Sequence, residues 1–104
     1  FATVSEQTVR NIAFHDVAED DIAHALPLMA EKQATEPFAS KVVLSEAKFG
    51  VVPKTYIRTT IDKITSPVLQ DEMIENWDVD TVHILTSGHF PALSMPVELA
   101  DAML

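Results

Sequence analysis

A chain of 104 residues can form one small domain with a core, and 47% hydrophobic with 22% charged residues is a globular composition, not a disordered one. The formal net charge of -9 and a pI near 4.6 argue against nucleic acid and anionic membranes as partners, because phosphates would repel such a surface. Cysteine is absent, which excludes disulfides, zinc–thiolate sites and a cysteine nucleophile. No window approaches the roughly twenty apolar residues that a membrane-spanning helix needs. Phe1-Ala2-Thr3-Val4 has no initiator Met, no charged n-region and no apolar h-region, so it reads as a mature or internal start and not as a signal peptide. The compartment stays open, with the cytoplasm favoured.

The chain divides near Gly50. Residues 1–50 have helical texture. The run Val17 to Leu26 opens with Glu19, Asp20 and Asp21, three carboxylates suited to the positive end of a helix dipole, and Asp16 stands where an N-cap is expected. Ile22, Leu26 and Met29 form an apolar stripe, and Pro27 within it predicts a kink or break. Glu36 to Ser40 reads as a loop, followed by a short extended stretch, Lys41 to Leu44. From Pro53 to about Ile61 a β-branched, Tyr-containing run predicts a strand. Ser66 as N-cap and Pro67 at the first position predict a helix whose face carries Leu69, Met73 and Trp77, widened by Ile74. A second strand is expected over about Thr81 to Thr86. A final helix is expected from Pro96, with Val97, Ala100 and Leu104 along one face.

Strand, helix, strand, helix with short links implies parallel pairing and a right-handed crossover. Parallel strands are normally covered on both faces, and two alone do not make a stable sheet, so this unit is expected to need partner strands from elsewhere.

Two residues carry the chemistry. Asp62 stands just after the first strand, and His89 follows the second through Ser87-Gly88. An acid and then a histidine beyond consecutive strands is the second half of a Ser…Asp…His triad in an α/β-hydrolase. The first half is missing: Gly50 and Gly88 are the only glycines, so no G-x-S-x-G is present. Asp78 and Asp80 compete as acids, but they precede the second strand, at the end of the sheet away from His89, and read as structural. Asp71 reads as a solvated helix residue, and Asp62 read blandly is a turn cap. His83, mid-strand, reads as packed or hydrogen-bonded. Asp20 and His24 lie four apart on a helix but lack two further convergent ligands, so a solvated face is preferred to a metal site. Trp77 and Met73 read as core.

The ordered set Val52-Pro53-Lys54-Thr55-Tyr56-Ile57, Ile61-Asp62-Lys63 and Ser66-Pro67 resembles the C-terminal region of the plant-type methylesterase and hydroxynitrile lyase branch of the α/β-hydrolases. Upstream, Glu19-Asp20-Asp21, Glu36-Pro37-Phe38 and Phe49-Gly50-Val51-Val52-Pro53 agree with that branch. Downstream, Gly88-His89-Phe90-Pro91 and Leu93-Ser94-Met95-Pro96 agree as well. The resemblance covers the chain from about Thr8 onward and implies an α/β fold fragment. Residues 1–50 would be part of a helical cap with its return segment, and residues 51–104 the C-terminal βαβα unit of the core.

It further implies that Asp62 and His89 are catalytic, and that an upstream segment of the same enzyme carries the nucleophilic Ser and the oxyanion hole. The expected activity is hydrolysis of small carboxylic esters with an apolar portion, with no metal or organic cofactor and with homodimerisation open. Met29, Leu28 and Phe38, if cap residues, would line an apolar pocket, with core packing an equal alternative, and Phe90 would form its rim. Lyases of this branch place Lys directly after the catalytic His. Phe90 here carries no charge, which sets hydroxynitrile lyase below esterase. A hydrolase-fold binding protein or receptor with little turnover is the remaining alternative.

Overall fold

A computed structural model describes residues 1–104. In chain order the elements are α1 (Glu6–Thr8), a wide π-type turn (Val9–Ala13), α2 (Glu19–Ala25), a 3-10 turn (Leu26–Leu28), α3 (Glu36–Ala39), a second wide turn (Glu46–Gly50), β1 (Thr55–Thr59), α4 (Pro67–Asn76), β2 (Thr81–Leu85), α5 (Pro91–Ser94) and α6 (Pro96–Met103). β1 and β2 pair in parallel, from Thr55 opposite Thr81 to Thr59 opposite Leu85, as the βαβα pattern requires. α4 packs on β1 and α6 on β2.

The local signals act largely as expected. Ser66 Oγ accepts the Leu69 N–H at 3.3 Å, and Pro67 fills the first helical position, where its missing N–H leaves no orphan donor. Glu19, Asp20 and Asp21 occupy the first turn of α2. Pro27 has no N–H to give Ala23 and crowds its carbonyl, so the helix tightens into the 3-10 turn there.

Several expectations are corrected. Asp16 does not cap α2: Ala18 holds that position without a side-chain bond, and Asp16 is drawn instead to the backbone of Gly88, 72 residues on. Glu36 to Ala39 is a short helix rather than a loop, opened by Pro37 near its start, and residues 41–45 have no regular structure. α5 was not foreseen and inserts between the His89 loop and the last helix. The Val97, Ala100 and Leu104 face of α6 is exposed, and the half-buried positions are Leu99 and Ala102. The Leu69, Met73 and Trp77 face of α4 is only partly covered, Met73 and Trp77 lining a cleft with Phe49 and Tyr56, and the fully buried residue of that helix is Gln70. Asp71 is exposed to solvent, as expected, and in addition forms a two-point ion pair with Arg58, at 2.7 and 3.1 Å.

The burial of Gln70 has a cause in the sheet. Thr60 N–H points to β2, bonding the Leu85 carbonyl at 3.0 Å, so the neighbouring Thr59 amide faces the opposite edge of β1. Gln70 meets that edge. Its Oε1 accepts Thr59 N–H at 2.8 Å, and its Nε2 donates to the Thr59 and Thr65 carbonyls at 2.9 and 2.7 Å. The amide thus does for one residue what a neighbouring strand would do, and an apolar side chain there would leave those backbone groups unpaired.

The apolar core sits in the first half. Val9, Ala13, Phe14, Val17 and Ile22 form one buried cluster, against which Ala25, Leu26 and Leu93 pack. Leu93 belongs to α5, so this cluster joins the early helices to the residues after His89. Elsewhere apolar surface is open, including Val82 and Ile84 on β2. The radius of gyration of 15.6 Å exceeds the roughly 13 Å of a compact domain of this length. No helix is long and apolar enough to cross a membrane.

Candidate active site

The strand ladder continues past both strands and lays their loops side by side. Thr60 N–H bonds the Leu85 carbonyl, and Ile61 N–H bonds the Ser87 carbonyl at 3.2 Å. The next residue of one loop is Asp62, and two residues further along the other is His89. They meet: His89 Nδ1 donates to Asp62 Oδ2 at 2.9 Å and lies 3.2 Å from Oδ1.

Asp62 is 8% exposed and fully engaged. Its Oδ1 accepts the Ile64 and Thr65 N–H groups at 2.8 and 2.9 Å, so the carboxylate does cap its own turn, and its Oδ2 accepts the Thr59 hydroxyl at 3.0 Å. Burial pushes its pKa up, but hydrogen bonds from His89, Ile64, Thr65 and Thr59 outweigh this and hold the carboxyl below the ordinary carboxylate range. Asp62 is therefore ionised at neutral pH. An ionised acceptor on Nδ1 leaves the proton there, and the neutral ring then presents Nε2 as a lone pair. Nε2 has no hydrogen-bond partner in the chain, and a third of the His89 side chain is exposed.

The His89 loop is held from three sides. Ser87 is fully buried, its hydroxyl 2.6 Å from that of Ser94 in α5. The Phe90 carbonyl accepts the Leu93 and Ser94 N–H groups, which starts α5 immediately after the histidine. Phe90 packs edge-on to His89, ring centroids 5.1 Å apart. From the first half, His15 Nε2 donates to the Ile61 carbonyl at 2.8 Å, and Asp16 Oδ2 accepts the Gly88 N–H at 2.6 Å.

Of the residues singled out in the sequence, Asp62, His89 and Phe90 come together. Leu28 and Phe38 lie 86% and 79% exposed, and Met29 lines a cavity of about 520 Å³ with Val4, Val9 and Leu26, to which neither Asp62 nor His89 contributes. Asp80 accepts the Lys54 N–H at 2.7 Å and ties the two strand starts together at the far end of the sheet. Asp78 takes a positive φ of 49° where α4 turns toward β2, a conformation that Asp tolerates. His24 bonds the Asp20 carbonyl through Nδ1, and no three His, Asp or Glu side chains converge as a metal site would require. His15, Asp16, Thr59 and Gln70 were not recognised from the sequence. The contacts of His15 and Asp16 span 46 and 72 residues, and no local pattern signals them.

No protein-family model matches the chain. It is 28% identical to Methylesterase 17 of Arabidopsis thaliana over 101 residues, covering 94% of this chain and 37% of that protein. Its fold matches the crystal structure of polyneuridine aldehyde esterase with a TM-score of 0.83 at 20% identity, over 95% of this chain and 40% of that one. A histidine-to-alanine mutant of the same esterase matches with a TM-score of 0.85 at 20% identity, over 97% of this chain and 40% of that one. The chain thus spans about 37 to 40% of the length of the relatives it matches. The chain has the fold of the C-terminal part of an α/β-hydrolase and is similar to the methylesterase-like members of that superfamily.

Proposed function

We propose that this chain supplies the acid and the base of a Ser-His-Asp triad in a carboxylic ester hydrolase. The observation that carries the reading is the buried, ionised Asp62 holding Nδ1 of His89 while Nε2 stays open. In this reading Nε2 takes the proton of a serine hydroxyl as that oxygen attacks the ester carbonyl. Asp62 stabilises the imidazolium, and Nε2 then returns the proton to the leaving alcohol. Water activated by the same nitrogen hydrolyses the acyl-enzyme. No cofactor is needed for these steps.

The nucleophile comes from a segment outside these 104 residues, since none of the chain's own serine hydroxyls is bonded to His89. Ser87, the nearest in sequence, is engaged with Gly88 and Ser94. That segment would also bring the backbone N–H groups that stabilise the tetrahedral oxyanion. The names of the relatives, a methylesterase and an aldehyde esterase, support ester hydrolysis. Phe90, the one apolar candidate touching the His89 ring, would border the ester beside Nε2 and so favours a small ester with an apolar portion.

The test is hydrolysis of short-chain p-nitrophenyl esters by the full-length protein. His89→Ala and Asp62→Asn each lower kcat by at least about 10³-fold, the first by removing the base and the second by releasing the ring from its productive tautomer. Parent-like turnover in His89→Ala would sink the assignment.

A further inference from the structure

Three consecutive residues from the first half of the chain grip both loops of the acid–histidine pair. Phe14 packs edge-on to Phe90, centroids 5.1 Å apart at 81°. His15 binds the carbonyl of Ile61, the residue before Asp62, and Asp16 binds the N–H of Gly88, the residue before His89. Consecutive side chains thus touch the backbone directly ahead of the acid and the residues on either side of the histidine.

We propose that Phe14-His15-Asp16 is a positioning segment that sets the separation of Asp62 and His89, with Asp16 as its anchor. The inference rests on the catalytic reading of that pair. The sheet cannot do this work alone. The last backbone bond between the two loops is Ile61 N–H to the Ser87 carbonyl, at 3.2 Å, and beyond it the loops are joined only by the Asp62–His89 bond itself. The segment reaches across this gap from outside. Its bond to Gly88 is short and charge-assisted, which makes it both stronger and more directional than a neutral one.

Gly88 records how close the approach is. A Cβ there would lie 2.5 Å from Asp16 Oδ1 and 2.9 Å from His15 Nε2, so the segment presses on the loop at the one place without a side chain. Asp16 Oδ1 is buried without a partner, a cost the site bears to keep the other oxygen on Gly88. Phe14 is itself 3% exposed in the apolar cluster, so the grip is anchored in the apolar core of the first half.

The experiment uses full-length protein carrying Asp16→Ala or Asp16→Asn, read by ester-hydrolysis kinetics, by NMR of the exchange-protected His89 Nδ1–H proton and by melting midpoint. Misplacing a catalytic group by about 1 Å costs on the order of 100-fold, so Asp16→Ala lowers kcat by about 10- to 100-fold. It leaves KM within about threefold, because substrate contacts are untouched. It also loses the protected Nδ1–H signal while remaining folded. Asp16→Asn keeps an acceptor for Gly88 and retains both kcat and the signal. A parent-like kcat and signal in Asp16→Ala overturn the proposal, as does an Asp16→Asn protein as impaired as Asp16→Ala.

Should Asp16→Ala fail to fold, His15→Gln, which keeps a donor, and His15→Leu, which does not, make the same comparison at Ile61, and parent-like behaviour of His15→Leu overturns the proposal. If the unsubstituted protein hydrolyses no ester, the esterase reading fails, yet the Nδ1–H signal in the same variants still decides whether the segment positions the pair.

Discussion

Before Gly50 the buried residues are Val9, Ala13, Phe14, Val17 and Ile22, all apolar, whereas from β1 onward they are Thr59, Asp62, Gln70 and Ser87 together with Leu85 and Gly88. The first half is held by contact area, which is non-directional and tolerates changes of shape that conserve volume. The second half buries a hydrogen-bonded chain: Gln70 to Thr59, Thr59 to Asp62, Asp62 to His89. A buried polar network of this kind is stable only if every member is satisfied, and it fixes angles as well as distances. The difference explains how one small molecule can leave much apolar surface open and still hold an imidazole in a defined orientation. It also gives the grip of Phe14-His15-Asp16 its logic, since the apolar half lends rigidity to loops that the polar half only aligns.

The comparison breaks if near-isosteric apolar substitutions are tolerated equally in both halves. In the full-length protein Gln70→Met is expected to destabilise by about 3 kcal/mol, because the Thr59 N–H and two carbonyls lose their partner inside the protein. Ile22→Leu, which conserves volume in the apolar cluster, is expected to stay under about 1.5 kcal/mol. Urea midpoints at constant m-value measure both. A Gln70→Met protein no less stable than Ile22→Leu removes the distinction drawn here.

The polar half should also carry the acid sensitivity. Asp62 is held below its ordinary range, so the unfolded chain binds the proton more readily than the folded one. Its contribution is therefore complete above the unfolded carboxylate pKa of about 4, and it is lost as pH falls through the lower folded value. Unfolding midpoints of the full-length protein between neutral pH and strong acid should show this loss, and Asp62→Asn should remove part of it. Parallel pH curves for the two proteins would place the acid sensitivity elsewhere.

How much of this was legible in sequence follows from the range of the interactions. The start of α4 is set by Ser66-Pro67 and was readable, as was β2 to within a residue, whereas the run from Pro53 to Ile61 pairs only over Thr55–Thr59. The Asp62–His89 pair was readable because parallel pairing forces both loops to the same end of the sheet. The burial of Gln70 was not. Periodicity marks the apolar stripe as the inner face of α4, but the open edge of β1 at Thr59 offers backbone groups that the amide of Gln70 pairs with. Asp16 was misread for a related reason: a carboxylate just ahead of a helix resembles a cap, and nothing nearby announces that the Gly88 N–H is its partner. Side chains satisfied by distant backbone leave no period and no motif.

The smallest effect tests the same contrast at the surface. Arg58 and Asp71 join β1 to α4 by two hydrogen bonds, beside the buried link made by Gln70. The Arg58 guanidinium holds the Asp71 carboxyl below its usual range, so the pair is charged and well aligned. Asp71 is nevertheless 59% exposed, and water and salt screen the attraction while the long Arg58 side chain loses freedom to form it. Asp71→Asn is therefore expected to move the melting midpoint least of the substitutions considered. What remains should fade near 1 M salt, where the screening length falls to about 3 Å. If instead the shift matched that of Gln70→Met and ignored salt, the attachment of α4 would belong to the ion pair, and the buried amide would be filling space beside it.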